Sequence, residues 1–149
     1  MTENLDGLRA MAMAGGLYAR DPKQVRQANV LVLAYIGDTV YDLIVRTYLS
    51  SHYKTSASAL HKQAIEFVSA HAQCAALHRI ADQLTEEETA VFRRGRNAKS
   101  ASVPKNADVA EYRTATGFET LLGYLYLSGQ DERLTKIGQM ILSDNEENE

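Results

Sequence analysis

Leu33-Ala34-Tyr35-Ile36-Gly37-Asp38-Thr39-Val40-Tyr41 decides the reading of this chain, because a charged side chain stands in the middle of an apolar run. Around it, Leu31, Ala34, Tyr35, Asp38, Tyr41, Asp42 and Val45 recur at spacings of three and four, the period of one α-helical face. Val32, Ile36, Val40, Leu43, Ile44 and Thr47 cover the other sides. A helix of that composition, about Asn29 to Leu49, is expected to be buried on most sides, in a core or between subunits. Asp38 then becomes a carboxylate in apolar surroundings, which shifts its pKa or destabilises the fold unless something compensates its charge.

A second stretch repeats the anomaly. Thr116-Gly117-Phe118-Glu119-Thr120-Leu121-Leu122-Gly123-Tyr124 sets Glu119 in an equally apolar segment. Gly37 and Gly123, close to the two acids, would let these helices or a ligand approach. A cation shared by both carboxylates would remove the cost of burying them. Hard divalent ions such as magnesium take oxygen ligands and keep several waters, so two carboxylates can suffice. The alternative is that each acid pairs with a buried arginine, such as Arg46 or Arg113, or caps a helix.

The rest of the chain also reads as helical. A short helix is expected at Leu5–Ala14, stopped by Gly15-Gly16, and Asp21-Pro22 is a helix-start signal. Ser56 to about Leu77 reads as one amphipathic helix. Thr85-Glu86-Glu87-Glu88 is a capping box that opens a short helix. The stretch from Arg94 to Lys105 is polar, basic and without apolar period, hence a loop. Asn106 is a candidate cap for a long helix over roughly Ala107–Leu127, ended by Gly129. Leu134, Ile137 and Ile141 mark a last helix. No repeat, heptad seam or strand pattern is present, so the expectation is one all-α domain at 29–143. Residues 1–28 form a helical extension before it, and 144–149 an acidic, disordered tail after it.

Composition narrows the function. A chain of 149 residues with 45% hydrophobic residues is the size of one domain with a real core. The single cysteine, Cys74, forms no intrachain disulfide, fits a reducing compartment and is read as a small buried apolar residue. No apolar stretch approaches the roughly 20 residues of a bilayer span. The start, Met1-Thr2-Glu3-Asn4, lacks a signal-peptide layout, so the expected location is the cytoplasm. The net charge of −3 hides an asymmetry. Residues 144–149 carry four acids, while Arg93, Arg94, Arg96, Lys99 and Lys105 cluster with no acid between Glu88 and Asp108. Local charge, not the total, governs phosphate binding.

The Leu33–Tyr41 stretch resembles the signature helix of the ribonuclease III family, and Gly117–Gly123 resembles that family's second acidic motif. Leu60-His61-Lys62, Val68-Ser69-Ala70, Arg94-Gly95-Arg96-Asn97-Ala98-Lys99-Ser100 and Pro104-Lys105-Asn106 are similar to its compact branch, Mini-ribonuclease III. The resemblance runs from about residue 27 to 140. It implies a ribonuclease III-type catalytic domain acting as a helical homodimer, with the signature helices at the two-fold axis. It also implies a magnesium-dependent endoribonuclease for double-stranded RNA, with Asp38 and Glu119 as catalytic and metal-binding residues.

Departures accompany the resemblance. Two further acids of the family's signature helix fall on Leu31 and Ala34, and the acid three residues before the late glutamate becomes Thr116. Asp42, Asp108 and Thr116 are therefore possible auxiliary ligands, and His61 and Lys62 auxiliary site residues. On its own pattern, His61 reads more readily as a core histidine, and Tyr35 and Tyr41 as packing or dimer contacts. Larger members carry a separate RNA-binding domain. Here Arg93, Arg94, Arg96, Asn97, Lys99 and Lys105 are expected to hold RNA through phosphates and 2′-hydroxyls. The implied substrate is precursor of the large-subunit (23S) ribosomal RNA, trimmed at its ends, and the need for a ribosomal-protein partner is left open. Two rival readings are a catalytically silent RNA-binding or ribosome-associated protein of the same fold and a helical metal-storage bundle. The second needs Glu-x-x-His pairs, which the sequence lacks.

Overall fold

The structure, a computed structural model, describes residues 21–99 and 103–147, with side chains described as far as residue 142. Seven α-helices form it, with no strand among the described residues. The expected Leu5–Ala14 helix lies outside them. Asp21 caps a single turn, α1 (Pro22–Arg26), accepting the Lys23 N–H at 2.8 Å. Asn29 then caps α2 (Val30–His52) through the Leu31 N–H. Asp21-Pro22 thus opens a separate turn, not the long helix.

Within the single chain α2 is buried along one side only, so of the two expected alternatives burial in the core is not what surrounds it. Leu33, Ala34, Gly37, Tyr41, Val45 and Leu49 face inward, at least one in each turn. Val32 and Leu43, each 53% exposed, and Tyr35, 77% exposed, face out. The helix buried nearly all round is α6 (Val109–Leu127), whose residues Thr120 to Leu125 are all inside. It touches α1, α2, α4 (Ala70–Ile80), α5 (Glu86–Arg96) and α7 (Asp131–Glu147), and so forms the axis of the domain. Tyr41 of α2 meets Phe118 of α6 edge-to-face at 5.1 Å between ring centres. Leu33, Val45, Leu121, Leu125, Ile137 and Ile141 complete the core, each contributing about 1.5–3 kcal/mol by leaving water.

Three further boundaries differ from the sequence expectation. The single helix over Ser56–Leu77 is two, α3 (Ala57–Val68) and α4, because Ser69 is extended and its Oγ accepts the Ala72 N–H at 3.1 Å. A serine hydroxyl that satisfies a free helix-start N–H favours a break over continuation. The capping box of α5 (Glu86–Arg96) is present as expected, with Thr85 and Glu88 exchanging bonds of 2.9 and 3.1 Å. Yet the helix runs through Arg94-Gly95-Arg96, so the basic stretch begins as a last helical turn, where cations suit the dipole. Asp108, not Asn106, caps α6, accepting the Glu111 N–H at 3.1 Å, while Asn106 takes a left-handed turn at φ 70°.

Gly129 does end α6. At φ 73° it lets its own N–H reach Tyr126 O while the Gln130 N–H reaches Leu125 O. The helical backbone of α7 continues through 144–147, where the sequence reading ended the domain at 143. Cys74 is half-buried, not buried, and His61 is exposed on α3, not a core histidine.

Candidate active site

The two anomalous acids belong to the two helices in closest contact. At the α2–α6 crossing the backbones nearly touch. A methyl carbon added at Gly37 would lie 1.7 Å from the Glu119 carbonyl oxygen, and one at Gly123 would lie 2.0 Å from the Leu33 carbonyl oxygen. Only glycine fits either position, so the residues beside the acids are what allow the acids to meet. Asp38 lies at an exposed position and Glu119 is half-buried beside it.

Burial and the neighbouring Asp38 carboxylate push the Glu119 carboxyl up to about 9. Without a counter-charge beside it, the Glu119 carboxyl therefore keeps its proton at neutral pH. An oxygen-only pair under that strain is a fitting place for a hard divalent cation, which would replace the proton. Among the described residues no cluster of three or more histidine, cysteine or acidic side chains forms a fuller metal cage.

The other expected residues fall as follows. Asp42 Oδ1 accepts from Arg46 Nε at 2.9 Å, one turn on. Arg46 therefore pairs with Asp42, and Arg113 is exposed. Asp108 is occupied as a helix cap, and the Thr116 hydroxyl donates to Tyr112 O at 3.0 Å. His61 and Lys62 lie exposed on α3. Burial pushes the Tyr41 phenol up to about 12, against an opposing effect of Arg79, and keeps it protonated as a packing residue. The basic cluster divides by element. Arg93, Arg94 and Arg96 stand on the last turn of α5, Arg96 lies 5.5 Å over the Phe92 ring, and its Nε donates to Asn97 Oδ1. Lys99 and Lys105 are exposed beyond it.

Two features were missed in the sequence. Thr120, beside Glu119 and fully buried, donates to Thr116 O at 2.7 Å and lies 3.3 Å from Val30 O. Gly95 packs on it so closely that a methyl carbon there would meet Thr120 Oγ1 at 2.3 Å. A hydroxyl within the apolar Phe118–Leu122 run was the available signal. The second is Arg133, whose guanidinium grips the buried Glu88 carboxylate with two bonds of 2.8 Å and also donates to Gln83 O. No spacing rule connects residues 45 positions apart.

An all-helical domain built on a buried helix, with one carboxylate from each of two tightly crossed helices, defines the class. Residues 31–130 match the model of the ribonuclease III domain. The chain belongs to the ribonuclease III family, in its compact Mini-ribonuclease III branch, and is an endoribonuclease. It is 50% identical over 126 residues to the Mini-ribonuclease 3 of Clostridium tetani, covering 84% of this chain and 83% of that protein. It is 49% identical to the Mini-ribonuclease 3 of Thermoanaerobacter sp., covering 83% and 87% respectively. A protein of Fusobacterium nucleatum with a crystal structure shares the fold at a TM-score of 0.72 and 28% identity, over 81% of this chain and 97% of that one.

Proposed function

We propose that this endoribonuclease cuts double-stranded RNA, with Asp38 and Glu119 holding magnesium. The observation that carries the reading is the carboxylate pair itself, forced together by Gly37 and Gly123 and left with a proton that a divalent cation would displace. Once bound, the ion would supply activation of a water and neutralise charge developing on the phosphodiester. Asp38, on the exposed side, faces solvent and substrate, while half-buried Glu119, set between the buried Phe118 and Thr120, anchors the pair to α6. The Tyr41–Phe118 contact and the Thr120 hydroxyl keep α2 and α6 from sliding, which preserves the relative positions of the two carboxyl groups. The arginines of α5, with Asn97, Lys99 and Lys105, supply cations for duplex phosphates.

The working unit in this proposal is a homodimer, one active site per strand. The outward stripe of α2 supports it, since Val32, Tyr35 and Leu43 are large, apolar and exposed on one helix. A second copy related by a two-fold axis would bury that stripe against itself. The proposed substrate is the end of the 23S ribosomal RNA precursor in the cytoplasm, a reading that rests on the resemblance to Mini-ribonuclease III. No described helix is long and apolar enough to cross a membrane.

The test is cleavage of a perfect RNA duplex by purified protein in magnesium, beside Asp38→Asn and Glu119→Gln. Cutting that EDTA abolishes and either substitution removes is the expected result. Binding without cutting, on duplex and on ribosomal precursor alike, would overturn the proposal in favour of a silent RNA-binding role. Sedimentation of the wild type and of Leu43→Glu tests the dimer, with a shift to monomer expected for the variant.

A further inference from the structure

Beyond the carboxylate pair, an open groove of about 730 Å³ runs between the α1–α2 turn and the end of α5. Gln27, Ala28, Asn29 and Val30 form one wall, and Arg93, Arg94 and Asn97 the other. From the sequence, Arg93, Arg94 and Asn97 are expected to hold RNA within one basic region, and residues 27–30 have no part in it. Their arrangement separates them from Arg96, which leans over Phe92.

We infer that this groove is a subsite for one phosphodiester of the RNA strand at a fixed distance from the cut, with Arg93 as its principal ligand and Arg94 as a pinned wall. The inference rests on the RNA-cutting reading above and adds a location to it. Three observations carry it. First, the groove presents two guanidinium-bearing side chains on consecutive residues of one helical turn, both exposed. Guanidinium matches the geometry of phosphate oxygens. Glu87, the acid further back along α5, does not neutralise them, because it is paired with Arg26 at 3.0 Å.

Second, the groove is built rather than loose. Arg94 Nη1 donates to the Arg26 carbonyl and ties α5 to the α1–α2 turn across the groove. Third, the groove is coupled to the catalytic helix by the packing behind its walls. Thr120 Oγ1 touches the Val30 carbonyl, Gly95 sits on Thr120 with no room for a methyl, and Gly117 is pressed against Phe92. Close packing therefore fixes where Arg93 and Val30 sit relative to Glu119. Val30 precedes Asp38 by eight residues on α2, which sets the subsite about 12 Å along the helix axis from that carboxylate. A strand held at both points would present a chosen phosphodiester to the acids, so Arg93 acts in register as well as in affinity.

The experiment measures binding of the full chain to a short perfect RNA duplex in EDTA, with single phosphates replaced in turn by neutral methylphosphonates. Wild type is expected to lose about tenfold in affinity at one position other than the scissile phosphate. Arg93→Ala is expected to bind about tenfold more weakly, with a salt slope smaller by about 0.7–0.9, and to be indifferent to methylphosphonate at that same position while responding elsewhere. Arg93→Lys should restore part of the affinity and of the positional response, which a merely structural residue would not. If Arg93→Ala shows the wild-type interference pattern at every position, the subsite is overturned while the nuclease reading stands. If wild-type protein binds no duplex at all, both fall together.

Discussion

Replacing Gly37 by alanine tests the link between helix packing and the carboxylate pair. The added methyl carbon would stand 1.7 Å from the Glu119 carbonyl oxygen and 2.9 Å from the Gly123 nitrogen, where ordinary contact begins at 3.4 Å. Both obstacles are backbone, so no side-chain rotation relieves them, and α2 must move from α6 by roughly 1.5 Å. Overpacking of that size costs about 3 kcal/mol, which lowers the melting temperature of a chain this long by about 6–12 °C. Displacing Asp38 from Glu119 by more than 1 Å should reduce cleavage about 100-fold even where the protein stays folded. Gly138→Ala is the matched control, because its nearest neighbour, Ile44 Cγ2, is 3.5 Å away. Gaining helix propensity, that variant should be neutral or more stable by up to about 1 kcal/mol. Urea melts and single-turnover cleavage of duplex RNA read both effects. A Gly37→Ala protein with wild-type midpoint and wild-type rate would refute the close-crossing argument.

Three other outcomes follow from the same geometry. Because the Glu119 carboxyl is pushed up to about 9 from 4.5, the folded protein in EDTA keeps a proton that the unfolded chain releases; stability should fall as pH rises from about 4.5 to 9. Glu119→Gln should flatten that dependence in urea melts, and magnesium should stabilise wild type most at the alkaline end; a flat wild-type profile would count against a proton retained on Glu119. Glu88→Gln should destabilise by about 3 kcal/mol, since it breaks a buried ion pair with Arg133. The Glu88 carboxyl is held below its usual value by Arg133 and the Thr85 N–H, against the opposing effect of burial, so its contribution is present above about 4.5 and lost as pH falls further; an acid limb unchanged in the variant would contradict this. Asp108→Ala should cost about 1 kcal/mol as a lost cap yet leave cleavage near wild type, whereas a large loss of rate would assign Asp108 to the metal instead.

The sequence by itself determined the helical class, the capping box at Thr85–Glu88, the glycine stop at Gly129 and the two acids worth watching. Those signals are local. A turn needs its capping side chain within three residues, and a carboxylate in an apolar run is conspicuous without knowing its neighbours. Even some local readings failed where two local signals competed, as at Ser69, where a cap overrode apolar periodicity, and at Asp108, where the better N-cap lay two residues beyond Asn106.

Tertiary structure alone decided which carboxylates meet and which are taken. Asp38 and Glu119 stand 81 positions apart, and their contact depends on two glycines whose role is visible only when α2 crosses α6. Asp42 looks equally available in the sequence, yet Arg46 holds it. The apolar composition of α2 could not say whether its outward face was core or surface, because burial depends on the helices that surround it. In this fold α6 occupies the centre and leaves Val32, Tyr35 and Leu43 of α2 facing out. The groove of Arg93 and Val30 was illegible for the same reason: its walls come from segments about 60 residues apart, joined by close packing that no spacing rule encodes.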